Sequence, residues 1–246
     1  MHVLYTVSRL LDYPDAHLKV DAADLRGLVE QSDLSSGAKS RLLAFMNHRM
    51  DSDLMDWQSD YDGLFERGRS VSLWLFEHVH GESRDRGQAM VDLLAEYRKA
   101  GLEIGQKELP DYLPLFLEFL ATQGRENAQA WLSEVETILA TMTCRLEQRK
   151  SDYADLFHVL LEVAGHQVDL NAMRAALADE KRDDTREAMD KAWEDEMVTF
   201  GPGDAHDSCT SGVAKAPGNS AKASNDQYVP ITWVDFNTRQ RPEQVR

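Results

Sequence analysis

The chain of 246 residues sets 27 Lys+Arg against 43 Asp+Glu, a formal charge of −16, with 42% hydrophobic residues. That balance argues against a general binder of nucleic acid or anionic membrane, since both need a basic face, and it favours basic partners. The length fits one large or two small domains with ample material for a core, and the two cysteines, Cys144 and Cys209, give neither a disulfide framework nor a structural zinc site.

The opening MHVLYTVSRLLDYPD lacks a charged segment followed by a long apolar run, and no window approaches the ~18 apolar residues of a membrane span. A cytoplasmic, unexported protein without stable membrane association is expected. Apolar residues recur at helical spacing from the start: Val3, Val7, Leu10 and Leu11, then Leu54, Trp57, Tyr61, Leu64 and Phe65. The segment from Val71 to His80 carries apolar groups on two faces and predicts a central, buried helix. Met90, Leu93, Leu94 and Tyr97 form the next stripe, followed by Leu113, Phe116, Leu117 and Leu120. The longest stripe runs from Ala128 through Trp131, Leu132, Val135, Leu139 and Met142 to Leu146, and Tyr153, Leu156, Phe157, Leu160, Leu161 and Ala164 continue it. No run alternates with period two and no Asn-Gly or Asp-Gly hairpin signal occurs, so the reading is all-α, with about nine or ten helices. Ser35, Gly101, Gly124 and Gly165 are among the natural boundaries, and Asp184 with Glu187 reads as the capping pair of a last helix.

From Gly201 the composition shifts to four Gly, four Pro and four Ser, with five acids balanced by five bases. All of the acidity therefore belongs to residues 1–200, expected to fold as one helical domain, with 201–246 a flexible, low-complexity tail. Within that tail, Tyr228, Val229, Ile231, Trp233, Val234 and Phe236 could form a short docked segment or partner-binding motif.

Searches for chemistry return little. Neither G-x-G-x-x-G, G-x-x-x-x-G-K-[ST], G-x-S-x-G nor H-E-x-x-H occurs, and Asp155 with His158 is a lone, imperfect relative of a di-iron Glu-x-x-His pair. Cys144 reads as a small core residue on an apolar helix. No catalytic residues and no bound cofactor are expected.

Two polar clusters stand out. In Glu77-His78-Val79-His80-Gly81-Glu82-Ser83-Arg84-Asp85-Arg86-Gly87, a metal site would use His78, His80 and Glu82, but i, i+2 spacing splays two imidazoles about 200° apart on a helix. The alternatives are a helix–loop–helix corner, with Ser83 capping the next helix and the charges satisfying one another, or a recognition corner in which His78, His80, Glu82, Arg84, Asp85 and Arg86 await a peptide of complementary charge. In the run Glu108 to Leu120, Asp111 reads as an N-cap or first-turn acid and Pro114 as a first-turn proline, while Tyr112, Leu115 and Phe119 lie off the main stripe. An apolar groove rimmed with acids would use that surplus.

The run from Phe65 to Leu94 resembles the NarJ family of respiratory nitrate reductase assembly chaperones. So do Ser8-Arg9-Leu10-Leu11-Asp12-Tyr13-Pro14-Asp15, the Glu108 to Leu120 run, Arg145-Leu146-Glu147-Gln148-Arg149, and Arg182-Asp183-Asp184-Thr185 with Ala192-Trp193-Glu194. The resemblance spans residues 1–200. The wider group of redox-enzyme maturation chaperones shares an all-helical fold and a helix-opening motif of Glu, Pro, Asp and His. Glu108, Pro110 and Asp111 match that motif, and Tyr112 stands at the histidine position. The resemblance implies a cytoplasmic chaperone, not an enzyme, whose partner is the apo form of the nitrate reductase catalytic (alpha) subunit. It would bind that subunit's basic N-terminal segment, support molybdenum cofactor insertion and delay membrane docking, with molybdenum cofactor biosynthesis proteins as further candidate partners. Apolar surplus and carboxylates in the most similar segments make Tyr61, Phe65, Trp74, Glu77, Tyr112, Leu115 and Glu118 the expected peptide contacts, joined by the corner residues and by Glu108, Pro110 and Asp111. A metal-dependent enzyme built on His78, His80 and Glu82, and a permanent structural subunit, are the competing readings.

Overall fold

Helix α1 (His2–Leu11) follows directly from its spacing: Val3, Leu4, Val7, Leu10 and Leu11 all face inward and are buried. A computed structural model describes residues 2–80, 85–105, 108–165 and 168–196. Glu82, Ser83, Arg84 and the 201–246 tail, with its Tyr228 to Phe236 segment, lie outside the described residues. Capped short helices follow α1. Asp15 accepts from the Leu18 N–H at 2.8 Å to start α2 (Ala16–Val20), and α3 (Ala22–Glu30) succeeds it. Ser35 accepts from the Ala38 N–H at 3.2 Å at the head of α4 (Ser36–Asp51), and Asp53 from the Met55 N–H at 2.8 Å before α5 (Leu54–Tyr61). The chain then passes through a π-helix (Asp62–Glu66), α6 (Glu77–His80), α7 (Asp85–Lys99), α8 (Leu113–Thr122), α9 (Arg125–Glu134), α10 (Glu136–Gln148), α11 (Ala154–Ala164), α12 (Leu170–Ala176) and α13 (Arg186–Glu196). Among the described residues there is no strand beyond one isolated antiparallel bridge, Trp74 with Tyr112. The all-α expectation holds. Met1–Met189 form one compact unit, and the remainder, Asp190–Arg246, is described only over residues 190–196.

The core is organised around α8, whose Leu113, Phe116, Leu117, Phe119 and Leu120 are all buried. It packs along α1, where the small Ser8 lets the backbones approach and its Oγ donates to the Pro114 carbonyl at 2.7 Å. On its other sides Phe119 meets Tyr97 of α7 at 4.6 Å between ring centroids, and Phe116 and Phe119 meet Trp131 of α9 at 6.0 and 5.8 Å. The apparent surplus at Phe119 is therefore core. Helices α10 and α11 pair, and α11 lies on α4 and α9. At the base of α4 the buried Arg49 guanidinium grips Asp152 through Nε at 2.9 Å and Nη2 at 2.5 Å, and Asp60 through Nη1 at 2.8 Å. It lies 5.1 Å from the Tyr153 ring centroid. Tyr153 in turn accepts from Trp57 Nε1 at 2.7 Å, so α4, α5 and the α10–α11 corner share one buried polar knot.

Four expectations are corrected. The stripe from Ala128 to Leu146 is two helices, broken at Val135 (φ −103°, ψ 7°), where the N–H bonds back to Leu132, and such breaks yield thirteen α-helices among the described residues. Residues 71–76 are not helical. Val71, Ser72, Leu73 and Leu75 are buried and Trp74 is half-buried, and Ser72 Oγ accepts the Trp74 N–H at 3.2 Å, a local bond that competes with helix formation. Thr185, not Asp184, caps α13, its Oγ1 accepting from the Ala188 N–H at 3.2 Å while Asp184 is taken by arginines. Asp111 is not the cap of α8: Tyr112 holds the N-cap position without a side-chain bond, and Pro114 sits in the first turn as expected.

If α8 is the packing centre, Leu117→Ala, at a site with 0% exposure, should cost roughly 2–5 kcal/mol. Urea unfolding checks this through a lower midpoint at unchanged slope; a loss below about 1 kcal/mol would place the centre elsewhere.

Candidate functional site

The two segments singled out in sequence are joined by backbone. The Leu75 N–H donates to the Asp111 carbonyl at 2.9 Å and the Leu113 N–H to the Leu73 carbonyl at 2.8 Å, a short antiparallel pairing ahead of α8. It sets Trp74 against Tyr112, ring centroids 5.9 Å apart, with both rings half-buried. Leu115 and Glu118 follow Tyr112 at i+3 and i+6, so the three share one side of α8, with Leu115 half-buried and Glu118 exposed. Trp74, Tyr112 and Leu115 thus supply an accessible apolar face with an acid at its end.

Beneath it Tyr61 and Phe65 are buried, at 1% and 2% exposure, and both belong to the core. The Tyr61 and Tyr112 hydroxyls lie 3.1 Å apart. Tyr61 donates to the Leu11 carbonyl at 3.0 Å and Tyr112 to Asp12 Oδ1 at 3.1 Å. Burial, reinforced by neighbouring phenols and carboxylates, holds the Tyr61 hydroxyl far above its ordinary range. Tyr13, exposed, stacks edge-on to Tyr61 at 5.5 Å and extends the aromatic face. The rim is acidic. Partial desolvation, then the charges of Asp62 and Glu77, raise the Glu66 carboxyl, and Glu66 and Asp12 act on Tyr112 in turn. Asp12, Tyr13 and Glu66 were not among the expected contacts; Asp12 and Tyr13 end an amphipathic helix just before Pro14, and that was the available signal.

The motif residues serve mainly to shape this face. Pro110 is buried, and its carbonyl accepts from the Tyr97 hydroxyl at 2.8 Å. Exposed Glu108 closes a local turn on the Gly105 N–H at 3.2 Å. Asp111 is fully buried, accepts from the Phe76 N–H at 3.2 Å through Oδ2, and has its carboxyl raised by burial despite that bond and the charge of Arg86. Arg86 lies 3.5 Å from Glu77 and 3.7 Å from Asp111, and Asp85 is exposed at the head of α7. His78 Nε2 lies 2.8 Å from the Ser72 carbonyl, which can only accept, so that nitrogen carries the proton; burial lowers the imidazole's pKa. His80 lies on α6. Asp155 pairs with Arg41 at 2.9 Å and His158 with Glu147 at 2.8 Å. Cys144 is a core residue whose thiol burial pushes up.

The loop leading into Trp74 is clasped from behind. Asp183 accepts from Ser70 through both its N–H, at 2.7 Å, and its Oγ, at 2.5 Å. Arg149 reaches Ser70 Oγ at 2.7 Å and Asp183 at 3.0 Å, and Arg145 donates to the Ser70 carbonyl at 2.8 Å. Gly68 makes this possible: a Cβ there would stand 2.6 Å from an Asp183 oxygen.

Residues 31–159 match the family described as nitrate reductase delta subunit. The protein described as the nitrate reductase molybdenum cofactor assembly chaperone NarJ of Escherichia coli (strain K12) is 44% identical over 234 residues, 93% of this chain and 97% of that protein. The chain belongs to the nitrate reductase delta subunit family. A second relative in the same organism, described as the probable nitrate reductase molybdenum cofactor assembly chaperone NarW, is 40% identical over 96% of this chain and 98% of its own length. The probable NarJ chaperone of Bacillus subtilis (strain 168) is 31% identical over 63% of this chain and 84% of its own. The family match covers Trp74, Tyr112 and Leu115, while Asp12 and Tyr13 of the face and Asp183 and Asp184 behind it lie beyond it. Among the described residues of this family member, no helix is long and apolar enough to cross a membrane.

The clasp carries its own pH signature. The Arg182 fork, with Arg149 behind it, holds the Asp184 carboxyl at about 2 against an ordinary 3.8. A depressed carboxyl stabilises the fold above its unfolded value and loses that contribution as pH falls through its folded value. Asp184→Asn should therefore be less stable than the unsubstituted chain by on the order of 1 kcal/mol near neutrality, Arg182 being solvent-screened. Denaturation at a series of pH values should show that gap closing as pH drops from about 4 towards about 2; a gap independent of pH would remove the ion pair as its source.

Proposed function

We propose that this chain is a dedicated chaperone of nitrate reductase, not an enzyme. It acts in the cytoplasm, binds the basic N-terminal segment of the apo catalytic subunit, supports molybdenum cofactor insertion and delays membrane docking until assembly is complete. Molybdenum cofactor biosynthesis proteins are its further candidate partners. The observation that carries the reading is the near full-length identity of 44% to a protein described as a nitrate reductase molybdenum cofactor assembly chaperone. The geometry supports it independently. A half-buried apolar face of Trp74, Tyr112 and Leu115, rimmed by Asp12, Glu66, Glu77 and Glu118, suits a segment whose apolar side chains alternate with bases. The rim charges steer the encounter, and burial at the face sets the residence time.

On this reading burial divides the expected contacts between support and binding. Tyr61 and Phe65 support the face from below, Trp74, Tyr112 and Leu115 meet the client, and Glu77 and Glu118 guide its bases. The metal-dependent alternative gains no specific observation: the Ser72 carbonyl fixes His78 through Nε2 and leaves Nδ1 its lone pair, and Glu82 lies outside the described residues. The family's description as a subunit keeps a permanent structural role in view, and purification of mature reductase separates the two: a chaperone is absent from it and is captured with apo-reductase.

Leu115→Ala should weaken binding of a synthetic peptide copying the client's N-terminal segment by about 1–3 kcal/mol in calorimetry, with little change in melting temperature. Tyr61→Ala should do the reverse, lowering stability by roughly 3–5 kcal/mol and leaving the affinity of the folded fraction close to normal. Peptide affinity should also fall as salt rises past the concentration where the Debye length shrinks to about 8 Å. Normal binding by Leu115→Ala, or affinity independent of salt, would move the client to another surface.

A further inference from the structure

Asp111 is at odds with its surroundings. Its side chain has 0% exposure, yet among the described residues Oδ1 has no hydrogen-bond partner, and the bond to Oδ2 comes from the Phe76 N–H at 3.2 Å. The cation that faces it does not close the gap. Arg86 Nη2 stands 3.7 Å from Asp111 Oδ2 and Nη1 3.5 Å from Glu77 Oε1, and the buried Arg86 Nε is likewise without a partner. Such separations keep an electrostatic attraction but forgo the directed bonds that a guanidinium normally makes. Elsewhere the same chain closes these pairs into forks: Arg49 with Asp152 at 2.9 and 2.5 Å, Arg145 with Glu180 at 2.9 and 2.5 Å, and Arg182 with Asp184 at 2.9 and 2.6 Å. The Arg86 contact is looser than these three.

Its position gives the looseness meaning. Asp111 is the residue before Tyr112 and shares the backbone pairing that builds the apolar face, and Glu77 follows Phe76 on the opposite segment. Two carboxylates therefore converge at the border of that face, with idle acceptor capacity on the buried one. The Arg86 side chain, 22% exposed, reaches them from the first turn of α7 and remains in touch with solvent. We propose that Asp111 and Glu77 form a subsite for a basic side chain of the client, a guanidinium above all, and that Arg86 occupies it in the free chain as an intramolecular stand-in that the client displaces. The proposal rests on the client reading above. A planar guanidinium entering from outside can present its N–H groups to Asp111 Oδ1 and Glu77 Oε1 together, which an arm anchored on α7 does not achieve. Arg86 then returns to water. A stand-in also keeps a buried carboxylate from lying uncompensated while no client is bound.

The sign of the effect is unusual for a residue inside a binding site. Apparent affinity is reduced by the fraction of molecules in which the subsite is already filled, so removing the stand-in tightens binding. Calorimetry of the full chain with the synthetic client peptide is the test, together with versions of the peptide in which each Arg or Lys is replaced by Gln. Arg86→Gln, with its fold checked by circular dichroism and melting temperature, should bind the parent peptide roughly 3- to 10-fold more tightly. One basic position of the peptide should account for that gain, and Asp111→Asn should abolish both the gain and the dependence on that position, the coupling expected of groups in contact. Glu77→Gln, on the half-exposed partner, gives the same readout if Asp111→Asn does not fold. An Arg86→Gln chain that binds the peptide equally or more weakly overturns the proposal while the client reading stands. Failure of the unsubstituted chain to bind any version of the peptide overturns both.

Discussion

The pairing of residues 73–75 with 111–113 is the constraint on which the candidate site depends. Two segments separated by α6 and α7 are fixed in register by two backbone hydrogen bonds, at 2.9 and 2.8 Å, and the Trp74–Tyr112 contact is carried on that pairing. It turns Trp74 out beside Tyr112 while Leu73 and Leu75 point into the core, because side chains alternate on extended backbone. A one-residue slip would bury Trp74 and expose two leucines, so the register is held by the hydrophobic pattern as firmly as by the bonds. In an otherwise helical body, this extended piece lets a broad apolar face lie open while the helix behind it stays packed.

Arginine use explains how so acidic a chain keeps its shape. Arg49 and Arg149, at 8% and 4% side-chain exposure, are drawn inside to tie distant segments together, and Arg145 at 18% does similar work beside them. Each neutralises carboxylates that would otherwise repel within the fold. With these bases committed inward, Glu66 and Glu118 stay exposed beside the Trp74–Tyr112 face.

Much of this was legible in advance, for definite reasons. The stripes of α1, α8 and α11 are long and regular, and period 3.6 is hard to mistake over three turns. The segment at 71–76 was not legible as extended, because so short a stretch is easily absorbed into a helical reading when Val79 and Phe76 extend the apolar run. Tyr61 and Phe65 looked like surplus since periodicity reports which face is apolar, not how many layers of protein cover it. Asp111 reads in sequence as a cap and as a peptide contact; nothing local shows that a chain segment 35 positions away will supply the N–H it accepts. The clasp of Arg149, Ser70 and Asp183 joins positions 79 and 113 apart in sequence, a range at which single-sequence patterns carry no signal.

That clasp also redraws the functional edge of the body. Composition changes at Gly201, which invites a trimmed version ending anywhere between the last buried helix and that point. Yet Asp183, well past α11, is the acceptor for the Ser70 amide and fills the space left by Gly68. A shortened chain that stops at the end of α12 would keep every large aromatic of the core and still free the extended segment that presents Trp74. Such a fragment would keep most of its helix content while losing the bonds that hold the segment behind the Trp74–Tyr112 face, so the boundary of that face is drawn by one carboxylate and not by the extent of the helical packing.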